Sequence, residues 1–383
     1  MKATVMLVAG EASGDQHAAK LVIALRKLNP HVRFLGMGGK RMREAGVELL
    51  VDSTKLAVVG LIEILAHYRE IRSAFQQMQA AVRDQPPDLL ILVDYPGFNL
   101  RLAATAKKAG VKVLYYISPQ VWAWRPGRVK TIAQRVDMMA VILPFEVDIY
   151  ESANVPVCFA GHPLVDEVQP TMTRAQALAS FQLAPDRKIL GLFPGSRQSE
   201  IKRLMPVLLD SARILMKRFP DLQLILPIAP GLEREDFLPW LDQDRLPITL
   251  TQHAIYDVIQ ICDAIITASG TATLQIALLG TPMTIIYKIS PITYLLARLL
   301  VNVRHVGLAN IVAQSPTVKE FIQHKARPDL IADEITRLLT DRSYATQMRR
   351  RLLEVRNRLG TDQNSVDIAV LVNGMLAGEY RTK

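Results

Sequence analysis

The sequence predicts an α/β protein of two doubly wound domains with a cleft between them. Short, continuous apolar runs alternate with helical stretches, and that alternation pauses near residue 163 before resuming. Such runs between helices mark parallel strands covered on both faces. In the first half, strands fit residues 5–9, 33–35, 89–94, 112–116 and 138–142. A helix fits 16–28 and stops at Asn29-Pro30. Helical spacing is clearest at Leu61, Leu65, Tyr68, Ile71, Phe75, Met78 and Val82. Turn formers around Gly161-His162-Pro163 set the junction, giving domains 1–163 and 164–361. The second series places strands at 188–193, 222–227, 248–251, 264–267 and 283–287, with helices at 204–219, 273–279 and 328–339. Two last helices, about 344–359 and 365–375, follow both series.

Composition narrows the function. With 383 residues, 50% hydrophobic and 21% charged, the chain can fill two cores and is no disordered tract. No apolar stretch reaches the ~18 residues that cross a bilayer, and residues 3–9 are too short for a secretory core. A soluble or peripheral protein is expected. Cys158 and Cys262 lie far apart in apolar surroundings with no metal spacing, so they are read as reduced core thiols. The net charge of +10 is uneven: Arg101, Lys107, Lys108, Lys112, Arg125, Arg128, Lys130 and Arg135 occur with no acid among them. That stretch suits an anionic lipid or phosphorylated ligand, or is a solvated face. No zinc-finger or RNA-binding signature, Walker loop or Gly-x-Gly-x-x-Gly turn is present, which argues against a nucleic-acid reader, a nucleotide triphosphatase and a standard dehydrogenase.

Two turns in the second domain point to a diphosphate. Pro194-Gly195-Ser196-Arg197 ends a strand and offers a tight turn, a hydroxyl and a guanidinium fork. Ser269-Gly270-Thr271-Ala272-Thr273 leads from a buried strand into a helix, whose first amides and dipole attract an anion. Each alone is also an ordinary turn or cap; the pair on one sheet favours a nucleotide diphosphate. Gln275, one turn on, has a carbonyl acceptor for a ribose.

In the first domain, Gly10, Glu11, Ser13, Gly14 and Asp15 form a polar loop after the first strand, expected to face the cleft. Asp94 closes a buried strand before Tyr95-Pro96-Gly97; it either caps a helix or accepts the proton of a sugar hydroxyl. Gln120, Trp122 and Trp124, beside Arg125 and Arg128, suit a phosphosugar or membrane interface, or form a satellite core.

Taken in order and spacing, Gly10–Asp15, Met37-Gly38-Gly39, Asp94–Asn99, Ser118–Trp124, Gly161–Leu164, Pro194–Arg197 and Ser269–Thr273 resemble the lipid-A-disaccharide synthases, glycosyltransferases of family 19, over nearly the whole chain. The resemblance implies a GT-B fold of two Rossmann-like domains, with the final helix (about 362–383) packing back on the first. It implies an inverting transfer without a metal or cofactor, from UDP-2,3-diacylglucosamine to 2,3-diacylglucosamine 1-phosphate, giving a β-1,6 disaccharide 1-phosphate and UDP. Carried over by position, Asp94 is the base, Arg197 and the 269–273 turn hold the diphosphate, and Asn310, Glu320 and Gln323 belong to the donor side. Residues 306–310 and 313–315 depart from the family's usual Leu-Pro-Asn and Ala-Gly-Arg, and Gln275 replaces a common Glu, leaving acyl preference open.

Acylated substrates require a membrane approach. Val58, Val59, Leu61, Ile62 and Leu65 exceed what one buried helix face needs, so this segment and the basic loop are expected on the anionic inner face of the cytoplasmic membrane, or else in a dimer or core surface. No nucleic-acid partner is expected, and the oligomeric state is open. Rivals are another UDP-sugar enzyme of this architecture, an epimerase or N-acetylglucosaminyltransferase, and a non-catalytic lipid-phosphate binder.

Overall fold

The computed structural model describes residues 3–55, 68–124, 127–244, 246–290, 293–295, 304–360 and 365–379. The chain divides into two units, Met1–Pro163 with Gly360–Lys383, and Leu164–Leu359.

The first unit holds seven parallel strands: β1 (Thr4–Ala9), β2 (Arg33–Gly38), β3 (Glu48–Asp52), β4 (Leu89–Val93), β5 (Lys112–Tyr116), β6 (Met138–Val141) and β7 (Val157–Phe159). Their order is β3-β2-β1-β4-β5-β6-β7. Alternate side chains of β1 and β4 serve two cores: Val5, Leu7, Leu89 and Ile91 face one, Met6, Val8, Leu90 and Leu92 the other. Each is fully buried, worth roughly 1.5–3 kcal/mol apiece in removed apolar surface. Truncating one, as in Ile91→Ala, should cost about 2–5 kcal/mol. The strand order reverses between β1 and β4, so the turns beyond their carboxyl ends flank the crevice where such sheets take ligands.

The helix Ala12–Leu28 begins almost at once after β1, four residues before the sequence reading started it. Gly14 explains the difference. A Cβ there would meet Ala9 at 3.4 Å and Val93 at 3.5 Å, ordinary contact distances, so this buried position of the first turn lies directly on the sheet. Residues 12–15, read as loop, are therefore helix.

The chain returns to this unit at its end. Ala369, Leu371, Val372 and Met375 of the helix Ile368–Ala377 join the β1/β4 core, and the Val366 amide donates to the Phe159 carbonyl at 2.9 Å.

The second unit holds six parallel strands: β8 (Ile189–Phe193), β9 (Gln223–Pro227), β10 (Ile248–Thr251), β11 (Ala264–Ala268), β12 (Met283–Tyr287) and β13 (Glu320–Ile322). The order β10-β9-β8-β11-β12-β13 reverses between β8 and β11. Three strands the sequence reading lacked, β3, β7 and β13, are all sheet edges with half-buried residues. Without two covered faces they need no apolar run.

No described helix is long and apolar enough to cross a membrane. Val58, Val59, Leu61, Ile62, Leu65 and Arg125 lie outside the described residues. Both cysteines are free thiols. Cys262 is buried, whereas Cys158 on β7 is only half-buried, and burial pushes its thiol up to about 11.

Candidate active site and anion loops

Asp94 sits in the turn that leaves β4, one residue past the strand. Asp94 and Tyr95 both adopt left-handed backbone angles, φ 45° and 47°. Two such non-glycine residues in succession are costly and persist only where neighbours enforce them. Here Asn99 and Tyr115, both fully buried, supply the force. The Asn99 amide donates to the carbonyl of Asp94 at 2.7 Å and of Val93 at 3.2 Å, and the Tyr115 hydroxyl donates to the same Asp94 carbonyl at 2.5 Å. With its backbone clamped from beneath, the Asp94 carboxyl is held at the rim of the sheet.

The turn after β1 lies alongside, since Ala9 pairs with Val93. A Cβ on Gly10 would stand 2.4 Å from the Tyr95 ring, so glycine is required for the two turns to meet. Glu11 approaches Asp94 closely enough to act on it. Burial chiefly, and the Glu11 charge second, raise the Asp94 carboxyl from 3.8 to about 6. Asp94 is thus ionised at neutral pH yet far more basic than an ordinary aspartate, which suits a proton acceptor.

The other residues expected here divide in two. Glu11 and Ser13 are exposed, Gly14 packs on the sheet, and Gln120 is exposed on the turn after β5. Asp15 is buried, and its carboxylate accepts the amides of Gly39 at 2.6 Å, Arg41 at 2.9 Å and Met42 at 3.1 Å. It ties the helix Ala12–Leu28 to the turn after β2. Trp122 is half-buried; its indole donates to Glu146 at 3.2 Å and meets the Phe145 ring edge-on at 5.2 Å. Glu146, fully buried, drew no attention in the sequence, where one glutamate after Pro144-Phe145 carries no signal.

In the second unit the two anion turns are neighbours. Pro194–Arg197 follows β8 and Ser269-Gly270 follows β11, at the pair where the strand order reverses, with Phe193 opposite Thr267. Gly195 has φ 110°, which favours glycine. The amides of Ser196 and Arg197 point at one oxygen of Glu200, at 3.0 and 3.3 Å, so a carboxylate already occupies an anion position there. The Arg197 guanidinium lies 3.6 Å from Glu200 and is largely exposed. The helix Thr271–Leu278 has no side-chain cap at Gly270; in its first turn the Thr273 amide donates to the Gly270 carbonyl at 3.1 Å.

Ser269 and Thr273 use their hydroxyls internally, on the carbonyls of Val306 (2.9 Å) and Gly270 (2.8 Å). Thr271 is exposed and Ala272 half-buried at the helix start. Asn310 is buried between Glu320 and Val318, and Glu320 accepts the amides of Val306 and Gly307 at 2.9 and 3.0 Å. These two side chains shape the 306–310 turn, which the Ser269 bond joins to the anion loop. Gln323 pairs its amide with both the N–H and the carbonyl of Ile289, each at 3.0 Å. Gln275 meets the Tyr256 hydroxyl. No group of three or more metal-ligating side chains occurs among the described residues.

A family model described as lipid-A-disaccharide synthetase matches residues 5–370. Chains named lipid-A-disaccharide synthase include one of Trichlorobacter lovleyi and one of Geobacter sulfurreducens, each 56% identical over 372 residues with 97% of both chains covered. One of Coxiella burnetii is 43% identical over 373 residues, covering 97% of this chain and 98% of its own. Among solved structures, the UDP-GlcNAc 2-epimerase of Neisseria meningitidis bound to UDP-GlcNAc has a TM-score of 0.61 at 12% identity, covering 98% of this chain and all of that one. The calicheamicin glycosyltransferase CalG4 has a TM-score of 0.59 at 14% identity, with 98% of each chain covered. At such identities the solved structures share the fold.

Proposed function

This chain belongs to the lipid-A-disaccharide synthase family and is a GT-B glycosyltransferase of lipid A disaccharide synthesis acting on acylated glucosamine-type substrates; from that premise we propose that Asp94 is the base and that the turns after β8 and β11 hold the donor diphosphate. The donor in this reading is UDP-2,3-diacylglucosamine and the acceptor 2,3-diacylglucosamine 1-phosphate. The acceptor's 6-hydroxyl oxygen attacks C1 of the donor sugar as the bond from C1 to the diphosphate breaks. The hydroxyl proton passes to Asp94, and the electron pair leaves on UDP. Attack from the face opposite the diphosphate inverts C1 and gives the β-1,6 bond. Arg197 and the start of the helix Thr271–Leu278 meet the charge that grows on the departing diphosphate, so the reading assigns no metal or cofactor.

The observation that carries this reading is the clamped, left-handed Asp94 turn, whose carboxyl is both ionised and unusually basic at neutral pH. Products of a mixture of the two acylated substrates, measured by mass spectrometry, test it. Disaccharide 1-phosphate and UDP should appear in equal amounts. UDP released without disaccharide, or donor bound without turnover, overturns it.

The acyl chains in this reading put the enzyme on the anionic inner face of the cytoplasmic membrane, through Val58, Val59, Leu61, Ile62 and Leu65 with the basic residues beyond Arg101. Leu61→Ser with Ile62→Ser should reduce co-sedimentation with vesicles containing an anionic lipid. Sedimentation unaffected by the substitutions and by lipid charge removes the membrane assignment.

A further inference from the structure

Glu146 is a charge-bearing side chain in the interior that the proposed chemistry does not use. It opens the helix Glu146–Glu151 beyond β6 and is only 1% exposed. One carboxyl oxygen takes the Trp122 indole N–H at 3.2 Å and the other the Leu143 amide at 3.3 Å. Ser118 also reaches it, and the Ser118 hydroxyl is shared with Tyr150 at 2.7 Å. Among the described residues, the charged group that acts on it is Asp94, and no cation is among its partners. A buried carboxyl without a cation is costly to keep unless its geometry is used.

What that geometry joins is the rim of the first unit. Glu146 lies beyond β6, Ser118 and Trp122 follow β5, and Asp94 follows β4. The β5 turn is itself strained: Ile117, a β-branched residue, has φ 65°. Strain of this kind is held by surrounding bonds, and Glu146 supplies two of them. The neighbouring titratable groups are Tyr115, which bonds the Asp94 carbonyl, Tyr150 on the same helix as Glu146, and Arg128 near Tyr115.

The geometry points to Glu146 as a positioning residue for the acceptor: its carboxyl fixes the Trp122 turn on the sheet rim that carries Asp94. This rests on the reading of Asp94 as the base. Burial above all raises the Glu146 carboxyl to about 8 while Asp94 stands at about 6, so the two titrate apart and neutral pH finds one ionised and one protonated. Above about pH 8 Glu146 ionises; its bonds from the Trp122 indole and the Leu143 amide persist, but a further buried anion then stands near Asp94 and repels the phosphate-bearing acceptor.

The test compares wild type with Glu146→Gln, Glu146→Ala and Trp122→Phe, measuring kcat and both KM values across the pH range. Wild type should show an alkaline limb near 8. Glu146→Gln, which cannot ionise and still offers the indole an oxygen, should lose that limb while keeping the acid one. Glu146→Ala and Trp122→Phe should raise the acceptor KM, about tenfold for the alanine, with little change in donor KM. An alkaline limb that Glu146→Gln leaves in place overturns the proposal, as does a rise in both KM values together. If Glu146→Ala does not fold, the glutamine profile decides alone. Asp94→Asn separates the two readings: inactivity there with an unchanged Glu146→Gln profile sinks only the positioning role, whereas activity there sinks the base.

Discussion

Replacing Glu11 with glutamine isolates one of the two forces that make Asp94 basic. Burial is the larger and the Glu11 charge the second, and together they lift the carboxyl from 3.8 to about 6. A base with that value is half protonated near pH 6, and turnover should fall tenfold for each further pH unit below it. At about pH 5 the wild type therefore keeps roughly a tenth of its plateau, where a carboxylate at the ordinary value would keep about nine-tenths. Glu11→Gln removes the like charge and leaves the burial. The acid limb should move to lower pH by roughly one unit or less, on the order of 1 kcal/mol. The assay is disaccharide formation from about pH 4.5 to 8, with Asp94→Asn as the control expected to lose about 10²–10⁴-fold at every pH. A limb that stays in place in Glu11→Gln would refute the electrostatic part. One that persists in Asp94→Asn would refute the assignment of the limb to Asp94.

Other consequences can be measured without substrate. The unfolded chain ionises Glu146 near 4.5 and the folded one near 8, so between those values the folded state binds one more proton and stability falls as pH rises, by at most about 1.4 kcal/mol per unit. Denaturant midpoints at about pH 5.5 and 7.5 should show this slope in wild type and a flatter one in Glu146→Gln. Gly10→Ala places a methyl 2.4 Å from the Tyr95 ring and should cost about 1–3 kcal/mol together with most of the turnover; a variant as stable and active as wild type shows that the two turns can part freely. In titrations with UDP, Arg197→Lys should weaken binding about tenfold through loss of the fork. Glu200→Gln weakens the internal anion on the Ser196 and Arg197 amides and should tighten UDP severalfold; looser binding there means that Glu200 supports the loop instead of competing for it.

Much of this architecture was legible in residue patterns, for a definite reason. Strands buried on both faces, such as Leu89–Val93 and Ile189–Phe193, must be apolar throughout, and so they stand out. Edge strands such as Val157–Phe159 face no such demand. The start of the helix Ala12–Leu28 was hidden because Gly14 and Asp15 look like loop residues. Their reasons, close contact with the sheet and a carboxylate bonded to three distant amides, exist only in three dimensions. The position of Asp94 at a strand end could be read from its neighbours, whereas its left-handed backbone and the Asn99 clamp could not. Asn310 and Glu320 were legible as positions but not as partners, since the bond between them depends on how the 306–310 turn folds back. Glu146 had no local signature at all; only depth distinguishes it from the exposed Glu151.

The return of residues 366–377 to the first sheet has a bearing on synthesis. The layer under β1 and β4 stays incomplete until the ribosome has made Leu371, Val372 and Met375, long after Asp94 has emerged. The later-encoded unit, by contrast, has all of its own strands by Ile322 and its closing helix by Arg358. A polypeptide cut short just beyond Arg358 therefore leaves the second unit whole and exposes an oily seam on the first, the unit that holds Asp94. That makes residues 366–377 a poor place for deletions.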